Sequence, residues 1–205
     1  MNPHIGILGG SFDPIHYGHL AIAEEVRVAL QLDRVVFVPA ARQPLKHNGH
    51  GATSAQRFEM ARLACVTNAA FEVSPIEIER PEPSYSVVTL EEFHKIQPAE
   101  YYFILGADAA SDLGRWYAAE RIIELARIVV VGRPGAAPDR ERLIHRFPRL
   151  AERMLLVAGP RLDISSTQLR ERVASGQSIR YLTPDPVVEY MLRHGLYGSI
   201  RSSEL

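Results

Sequence analysis

The chain has 205 residues, 46% of them hydrophobic and 23% charged, and its 23 Lys and Arg residues nearly balance 24 Asp and Glu residues. These values are average for a globular domain and exclude a disordered, collagen-like or coiled-coil chain. A net charge of −1 provides no general attraction for nucleic acid or anionic membranes, so any anion site must be local. A single cysteine, Cys65, excludes an intramolecular disulfide and a thiolate metal site.

Neither a membrane span nor a signal peptide is predicted. No apolar run approaches the ~18 residues that a spanning helix needs. The first residues, Met1 to His4, lack the basic and apolar regions of a secretory signal. We therefore expect a cytoplasmic protein.

Short apolar runs alternate with helical patterns along the chain. Buried strands are predicted over residues 5–8, 35–38, 71–75, 101–105, 128–131 and 154–157. Helices are predicted over residues 18–30, 86–96 and 112–125. A further helix opens at Thr53 with Gln56 at capping-box spacing and places Phe58, Ala61 and Cys65 on its inner face. Two more helices close the chain, one opening at Ser165 and the other at Asp185.

This alternation predicts one α/β domain over residues 1–200. Each strand has apolar residues at both odd and even positions, which indicates a parallel sheet that is covered on both faces. This is a doubly wound fold of Rossmann-like type. Surface loops are predicted at 40–52 and 133–138, and a frayed tail at 201–205. Loops that follow strand ends are where such a sheet binds its ligands.

The strongest chemical signal is the segment Gly9-Gly10-Ser11-Phe12-Asp13-Pro14-Ile15-His16-Tyr17-Gly18-His19, here called the signature turn. It lies between the first strand and the first helix, where backbone N–H groups can bind an anion. Glycines without Cβ atoms would let a phosphate approach, and Gly18 would leave room for a bulky ligand. His16 and His19, three residues apart, would present both imidazoles on one side.

Two alternative interpretations are that the glycines only form a tight turn and that the two histidines bind a metal ion. The metal pair lacks Cys or Glu partners at ligand spacing. A Walker-type loop is excluded because no Gly-Lys-Ser/Thr follows the glycines. The combination of position, glycines and paired histidines favours phosphate binding.

A second segment, Ile164-Ser165-Ser166-Thr167-Gln168-Leu169-Arg170, opens a predicted helix. One interpretation is an ordinary cap, since Ser165 and Gln168 have capping-box spacing. The other is an anion site, because Ser166 and Thr167 place hydroxyls at the positive end of the helix and Arg170 follows one turn later.

The signature turn resembles the HxGH motif of the nucleotidyltransferase superfamily, and the 164–170 segment resembles its Ile-Ser-Ser-Thr element. Phe103-Ile104-Leu105-Gly106-Ala107-Asp108, followed by Trp116, and Pro83-Ser84-Tyr85-Ser86, followed by Thr89-Leu90, are similar to the nicotinate-nucleotide adenylyltransferase family. This second resemblance covers essentially the whole chain.

The resemblance implies a role for each matched residue. His16 and His19 would be the catalytic pair. The ATP-binding residues would be Gly9, Gly10, Ser11, Phe12, Lys46, Gly106, Asp108, Ser166, Thr167 and Arg170. The residues that hold the second substrate would be Tyr85, Ser86, Trp116 and Tyr117, with Trp116 stacked on a pyridine ring. Alone, Lys46 would be a solvated lysine, Trp116 a core residue and Asp108 a helix cap.

Two positions depart from the family's pattern. Val88 stands where the family usually has an acidic residue, which bears on how the substrate helix is capped. Leu45 stands where a histidine often precedes the lysine. Arg133, after the most apolar strand, fits either a phosphate contact or a surface loop.

The resemblance implies adenylyl transfer from ATP to nicotinate mononucleotide, giving deamido-NAD and pyrophosphate. Mg²⁺ would arrive with ATP, with no dedicated protein metal site. Nicotinamide mononucleotide and pantetheine phosphate remain alternative acceptors, and a non-catalytic ATP-sensing module remains an alternative function. We expect no nucleic-acid or membrane partner, and the sequence leaves a homo-oligomer open.

Overall fold

A computed structural model describes residues 2–41, 51–80, 83–132 and 139–198, which contain one parallel sheet of six strands. The strands are β1 His4–Gly10, β2 Arg34–Pro39, β3 Phe71–Val73, β4 Glu100–Gly106, β5 Arg127–Gly132 and β6 Met154–Ala158. Their order across the sheet is β3-β2-β1-β4-β5-β6. From β1 the chain adds β2 and β3 on one side of the sheet, and it then adds β4, β5 and β6 on the other side. Open α/β sheets bind ligands beyond the carboxyl ends of the strands where the order switches in this way, here between β1 and β4.

Helices separate the strands and close the chain. They are α1 Tyr17–Ala29, α2 Ser54–Cys65, α3 Ser86–Ile96, α4 Ala107–Ser111, α5 Ala119–Leu125, α6 Arg140–Arg146, α7 Leu150–Arg153, α8 Ser166–Ala174 and α9 Asp185–Arg193. A short 3₁₀ helix, Leu113–Arg115, lies between α4 and α5. The Thr53 cap of α2 is confirmed, because its hydroxyl oxygen accepts from the Gln56 backbone N–H at 3.3 Å.

Two apolar cores lie on opposite faces of the sheet because successive strand side chains alternate between the faces. In β2, for example, Val35 and Phe37 join the core beneath α1, α2, α8 and α9, whereas Val36 and Val38 join the core beneath α3 to α7. We call these the first and second cores. The fold is therefore the doubly wound sheet that the sequence predicts.

Three predicted elements differ from the structure. The predicted helix over 112–125 is wrong: the chain forms α4, the 3₁₀ helix and α5, with Trp116 extended and Ala118 in the left-handed region at φ +51°. The third strand ends at Val73 rather than at residue 75. On α2, Phe58 is only half-buried, whereas the neighbouring Arg57 is fully buried.

Among the described residues, no helix is both long enough and apolar enough to cross a membrane. The predicted tail 201–205 and the predicted loop at 133–138 lie outside the described residues, as do residues 42–50 of the loop predicted at 40–52.

Candidate active site

The signature turn joins the end of β1 to the start of α1 and brings the two histidine rings together. The imidazoles of His16 and His19 stack with ring centroids 3.7 Å apart, as their spacing predicts. His19 Nδ1 accepts a hydrogen bond from the His16 backbone N–H at 3.2 Å. The neutral His19 ring therefore carries its proton on Nε2, which makes that nitrogen a donor. His16 is buried, with 5% exposure, and His19 is half-buried.

The glycines of the turn have different roles from one another. A Cβ at Gly9 would meet no atom of the described residues within 4 Å, which is consistent with the predicted open approach for a ligand. At Gly10 the corresponding space holds the ring of Phe12, with the nearest atom at 2.9 Å. A Cβ at Gly18 would lie 3.0 Å from two atoms of the His16 ring, so the missing side chain leaves space for that ring. Gly18 also lines the cavity described below, and the room that it leaves for a ligand stays a prediction.

Phe12 supports the histidines from the first core. Its side chain is buried, and its ring meets the His19 ring edge-on at 5.1 Å and the Phe37 ring at 5.7 Å. Its backbone has φ +50°, a strained conformation for a residue with a Cβ. A contact between Phe12 and ATP would therefore involve its backbone rather than its ring.

Four backbone carbonyls of the turn each accept a hydrogen bond from a side chain that is distant in sequence. Arg57 Nη1 donates to the carbonyl of Ser11 at 2.7 Å, and Arg170 Nη1 donates to that of Asp13 at 2.8 Å. The other two bonds are Ser166 Oγ to the Pro14 carbonyl at 2.9 Å and Thr183 Oγ1 to the Ile15 carbonyl at 2.8 Å. Carbonyl oxygens carry partial negative charge, so binding them to protein donors reduces their repulsion of a phosphate.

The 164–170 segment caps α8 and also contacts the signature turn. The Ser165 hydroxyl oxygen caps α8 by accepting from the Gln168 backbone N–H at 3.2 Å. Ser166 and Arg170 hold the signature turn, and Arg170 Nη2 also donates to the Thr167 hydroxyl at 3.3 Å. The segment thus acts both as a helix cap and as part of the wall of the site.

The paired histidines open onto a cavity of about 220 Å³. The predicted residues that line it are His16, Gly18, His19, Gly106 and Ser166, together with the capping residue Ser165. The rest of the lining comes from α1, β5 and the segment after β6. Gly106 ends β4, and a Cβ there would meet no atom of the described residues within 4 Å. The cavity therefore lies at the carboxyl edge of the sheet, where the fold predicts a ligand.

A second cluster gathers the residues predicted to bind the other substrate. The Tyr85 ring, at the start of α3, lies 4.9 Å from that of Tyr117, which precedes α5 and is 64% exposed. Trp116 is half-buried and meets Phe103 edge-on at 5.9 Å. Ser86 is the first residue of α3. Asp108, which the resemblance assigns to ATP rather than to the other substrate, is exposed in the first turn of α4. The structure brings these aromatic residues together on the side of the second core.

The beginning of α3 contains a buried carboxyl that the sequence alone did not reveal. Thr89 Oγ1 donates to Glu77 Oε1 at 2.6 Å and lies 3.1 Å from Arg80 Nη2. Burial raises the pKa of Glu77, and the hydrogen bonds from Thr89 and Ser84 oppose that rise. Val88 itself packs half-buried against the second core. An acidic group therefore does lie near α3, supplied by a different segment.

Two candidate ligand contacts, Lys46 and Arg133, lie outside the described residues, as does Leu45. Within the residues that are described, no group of three or more His, Cys, Asp or Glu side chains is arranged to hold a metal ion. Sequence reasoning missed Arg57, Thr183 and Tyr197. Only Arg57 gave a signal, because it lies four residues before Ala61 on the inner stripe of α2.

Comparison with known proteins shows which sequences and folds this chain is similar to. Residues 7–172 match the family model described as cytidylyltransferase-like. A protein of Roseiflexus sp. (strain RS-1), named "Probable nicotinate-nucleotide adenylyltransferase", is 63% identical over 94% of this chain and 97% of its own length. Proteins with the same name from Roseiflexus castenholzii and Herpetosiphon aurantiacus are 59% and 47% identical over 94% of this chain.

Among solved structures, the fold is similar to that of the Plasmodium falciparum nicotinic acid mononucleotide adenylyltransferase complexed with NaAD. The TM-score is 0.76, with 21% identity, and the match covers 95% of this chain and 97% of that one. At this identity the likeness establishes the fold.

Proposed function

Because the chain belongs to the nicotinate-nucleotide adenylyltransferase family, we propose that it joins ATP and nicotinate mononucleotide to give deamido-NAD and pyrophosphate. The observation that carries this proposal is the stacked pair His16 and His19 at a cavity on the carboxyl edge of the sheet. Ring N–H groups and helix N-termini in such a place suit the charge that develops on a phosphoryl group under attack.

The chemistry is an in-line substitution at phosphorus. An oxygen of the 5′-phosphate of nicotinate mononucleotide attacks the α-phosphorus of ATP. The new phosphorus–oxygen bond forms as the bond to the β-phosphate oxygen breaks, and pyrophosphate leaves. The attacking phosphate is already an anion near neutral pH, so the reaction needs no general base and no covalent intermediate. Catalysis then depends on positioning and on stabilising charge.

Phosphate binding is assigned to residues around the signature turn. His16 and His19 would hold the α-phosphate and bridging oxygens, with Gly9, Gly10, Ser11 and the Phe12 backbone beside them. Lys46, Ser166, Thr167 and Arg170 would hold the leaving pyrophosphate. Two donor nitrogens of Arg170 already bind protein oxygens, but a guanidinium has five N–H donors. Ser166 is the first residue of α8, where helix N–H groups have no intrahelical partner.

Ribose and pyridine binding would involve the second cluster. Gly106 and Asp108 would hold the ribose of ATP. Trp116 would stack on the pyridine ring, while backbone N–H groups of Ser86 and Tyr117 would hold its carboxylate. The Tyr85 ring, 4.9 Å from Tyr117, would border the same pocket. The positive end of α3 favours the carboxylate of nicotinate mononucleotide, and the nearby Glu77 opposes it. The preference for nicotinate over nicotinamide mononucleotide therefore depends on which of these two effects is larger.

Mg²⁺ would enter as part of the ATP substrate, coordinated mainly by phosphates and water. We also infer a cytoplasmic location, since that compartment supplies ATP. The absence of a nucleic-acid partner stays a prediction.

The test is to follow label from ATP. With ATP labelled at the α-phosphate, label is expected in the dinucleotide, and with ATP labelled at the γ-phosphate, in pyrophosphate. His19→Ala is expected to lower kcat by orders of magnitude while the circular dichroism spectrum stays that of the folded wild type. Label in free AMP alone would refute transfer to nicotinate mononucleotide, and near-normal kcat in His19→Ala would refute that residue's role.

A further inference from the structure

A buried polar cluster lies beneath the signature turn and is not explained by substrate contacts. It consists of Asp13, Arg57 and Tyr197, and we call it the turn anchor. Asp13 and Arg57 are 4% and 1% exposed. The Tyr197 hydroxyl donates to Asp13 Oδ1 at 2.5 Å. The Asp13 carboxylate also accepts from the backbone N–H groups of Gly51 and Ala52, at 2.9 and 3.1 Å.

Arg57 ties three separate backbone segments together. Its guanidinium donates to the carbonyls of Ser11 at 2.7 Å, Ala41 at 3.2 Å and Ala52 at 3.4 Å. Burial lowers the pKa of Arg57, and the negative charge of Asp13 opposes that effect. A buried charge pair is costly unless its geometry is well satisfied, and apolar residues of similar volume are often at least as stable. Asp13 and Arg57 meet this condition through hydrogen bonds to backbone groups of the signature turn and of its neighbouring segments, which places them to hold that backbone in position.

Tyr197 comes from the turn after α9 and is 184 residues away from Asp13 in the chain. Its own backbone has φ +64°, which is strained for tyrosine. Its ring packs so closely on Gly51 that a Cβ there would lie 2.7 and 2.8 Å from two ring atoms. Burial raises the pKa of Tyr197, and the Asp13 carboxylate raises it further, so the hydroxyl remains a donor at ordinary pH.

The turn anchor is separate from the residues assigned to the pyridine substrate. Tyr197 packs against the first core, to which Phe12 also belongs. Tyr85 and Trp116 pack against the second core, on the other face of the sheet. A small displacement at Asp13 should therefore reach the histidines and the ATP phosphates before it reaches the pyridine pocket.

We propose that Tyr197 is a positioning residue that fixes the signature turn through Asp13 and Arg57, and so sets the geometry with which the turn receives the phosphates of ATP. The expected effect on the kinetics with ATP rests on the proposed adenylyl transfer. The claim that Tyr197 fixes the signature turn concerns the free protein and can be tested without any substrate.

Tyr197→Phe removes the hydroxyl and keeps the ring over Gly51. We expect kcat/KM for ATP to fall about tenfold, because even sub-ångström misplacement in an active site is costly. The KM for ATP should rise while the KM for nicotinate mononucleotide stays at the wild-type value. Tyr101→Phe is the matched control, since that buried hydroxyl donates to the carbonyls of Phe93 and Gln97 on the face of the second core.

A merely structural role would lower the melting temperature and the active fraction in both variants and leave both KM values unchanged. That result would overturn the proposal. The double variant with Asp13→Ala adds a second check, because that change removes the acceptor of the Tyr197 hydroxyl, and Tyr197→Phe should then have little further effect. Additive losses would contradict action through Asp13.

Amide hydrogen exchange in the free protein separates this proposal from the proposed function. Tyr197→Phe should speed exchange in the peptide that covers residues 11–16, and Tyr101→Phe should not. Unchanged exchange in this peptide would overturn the positioning role even in an active enzyme. Faster exchange in a protein that makes no dinucleotide would instead uphold the anchor and refute the proposed reaction.

Discussion

Replacing Gly18 by alanine should separate stability from activity, because activity should fall while stability changes little. Alanine favours a helix over glycine by about 0.5–1 kcal/mol, and Gly18 is the second residue of α1. The new Cβ, however, would lie 3.0 Å from Cε1 and Nδ1 of His16. Ordinary contacts between such atoms begin at 3.4 Å, so the ring must shift by a few tenths of an ångström, up to about half an ångström.

That shift has little room, since the His16 ring is buried and stacked on His19 at 3.7 Å. If a displacement of about 1 Å can cost a factor of 10², half that distance should cost about tenfold. We therefore expect kcat to fall about tenfold while the melting temperature stays within a few degrees of the wild type. Pyrophosphate release measures the first quantity and calorimetry the second.

Gly9→Ala is the contrasting variant in the same turn. Its Cβ would meet no atom within 4 Å in the part of the chain that the structure describes, so the change should raise the KM for ATP without displacing either histidine. Wild-type kcat in Gly18→Ala would refute the inference that His16 is held in place against Gly18. A large fall in the melting temperature would also count against it, since the loss of activity would then reflect unfolding.

Two further predictions concern buried titratable groups. Burial raises the pKa of Glu77 above its usual 4.5, so the native state holds this proton more tightly than the unfolded state. The free energy of unfolding should therefore lose Glu77's contribution as pH rises from 4.5 through the raised pKa. Glu77→Gln should flatten that decline in urea titrations across pH, with Glu79→Gln as the exposed control, and parallel curves for wild type and Glu77→Gln would refute the effect. Burial also raises the pKa of the Cys65 thiol to about 12. A disulfide reagent at pH 8 should label Cys65 only after unfolding, since the thiolate is the nucleophile, and rapid labelling of the native protein would contradict its burial.

Local patterns were sufficient for most of the fold. The consecutive apolar residues of β2 identify a strand with both faces covered, and the capping box at Thr53 marks the start of α2. The helix predicted over 112–125 was wrong because its apolar spacing is helical on both sides of a break. Ala118 adopts the left-handed region without glycine, so nothing in the local sequence marks that break.

The candidate site likewise has some features that the local sequence predicts and others that it does not. The stacking of His16 and His19 follows from their spacing, and so does the capping by Ser165. The anchoring of the turn depends on contacts with Arg57, Arg170 and Thr183, which are 46 to 168 residues away in the chain. Such pairs have no local pattern, and one sequence cannot reveal them. Glu77 was missed for the same reason, since its partner Thr89 lies on another element.

The most direct test of the central claim is to measure pyrophosphate release from Mg²⁺–ATP with three acceptors in parallel. These are nicotinate mononucleotide, nicotinamide mononucleotide and pantetheine phosphate. We predict that kcat/KM for the acid exceeds that for the amide at least tenfold, about 1.4 kcal/mol of transition-state discrimination, with no turnover of pantetheine phosphate. Equal rates for acid and amide would contradict the assigned preference. No release with either mononucleotide would contradict the proposed function itself.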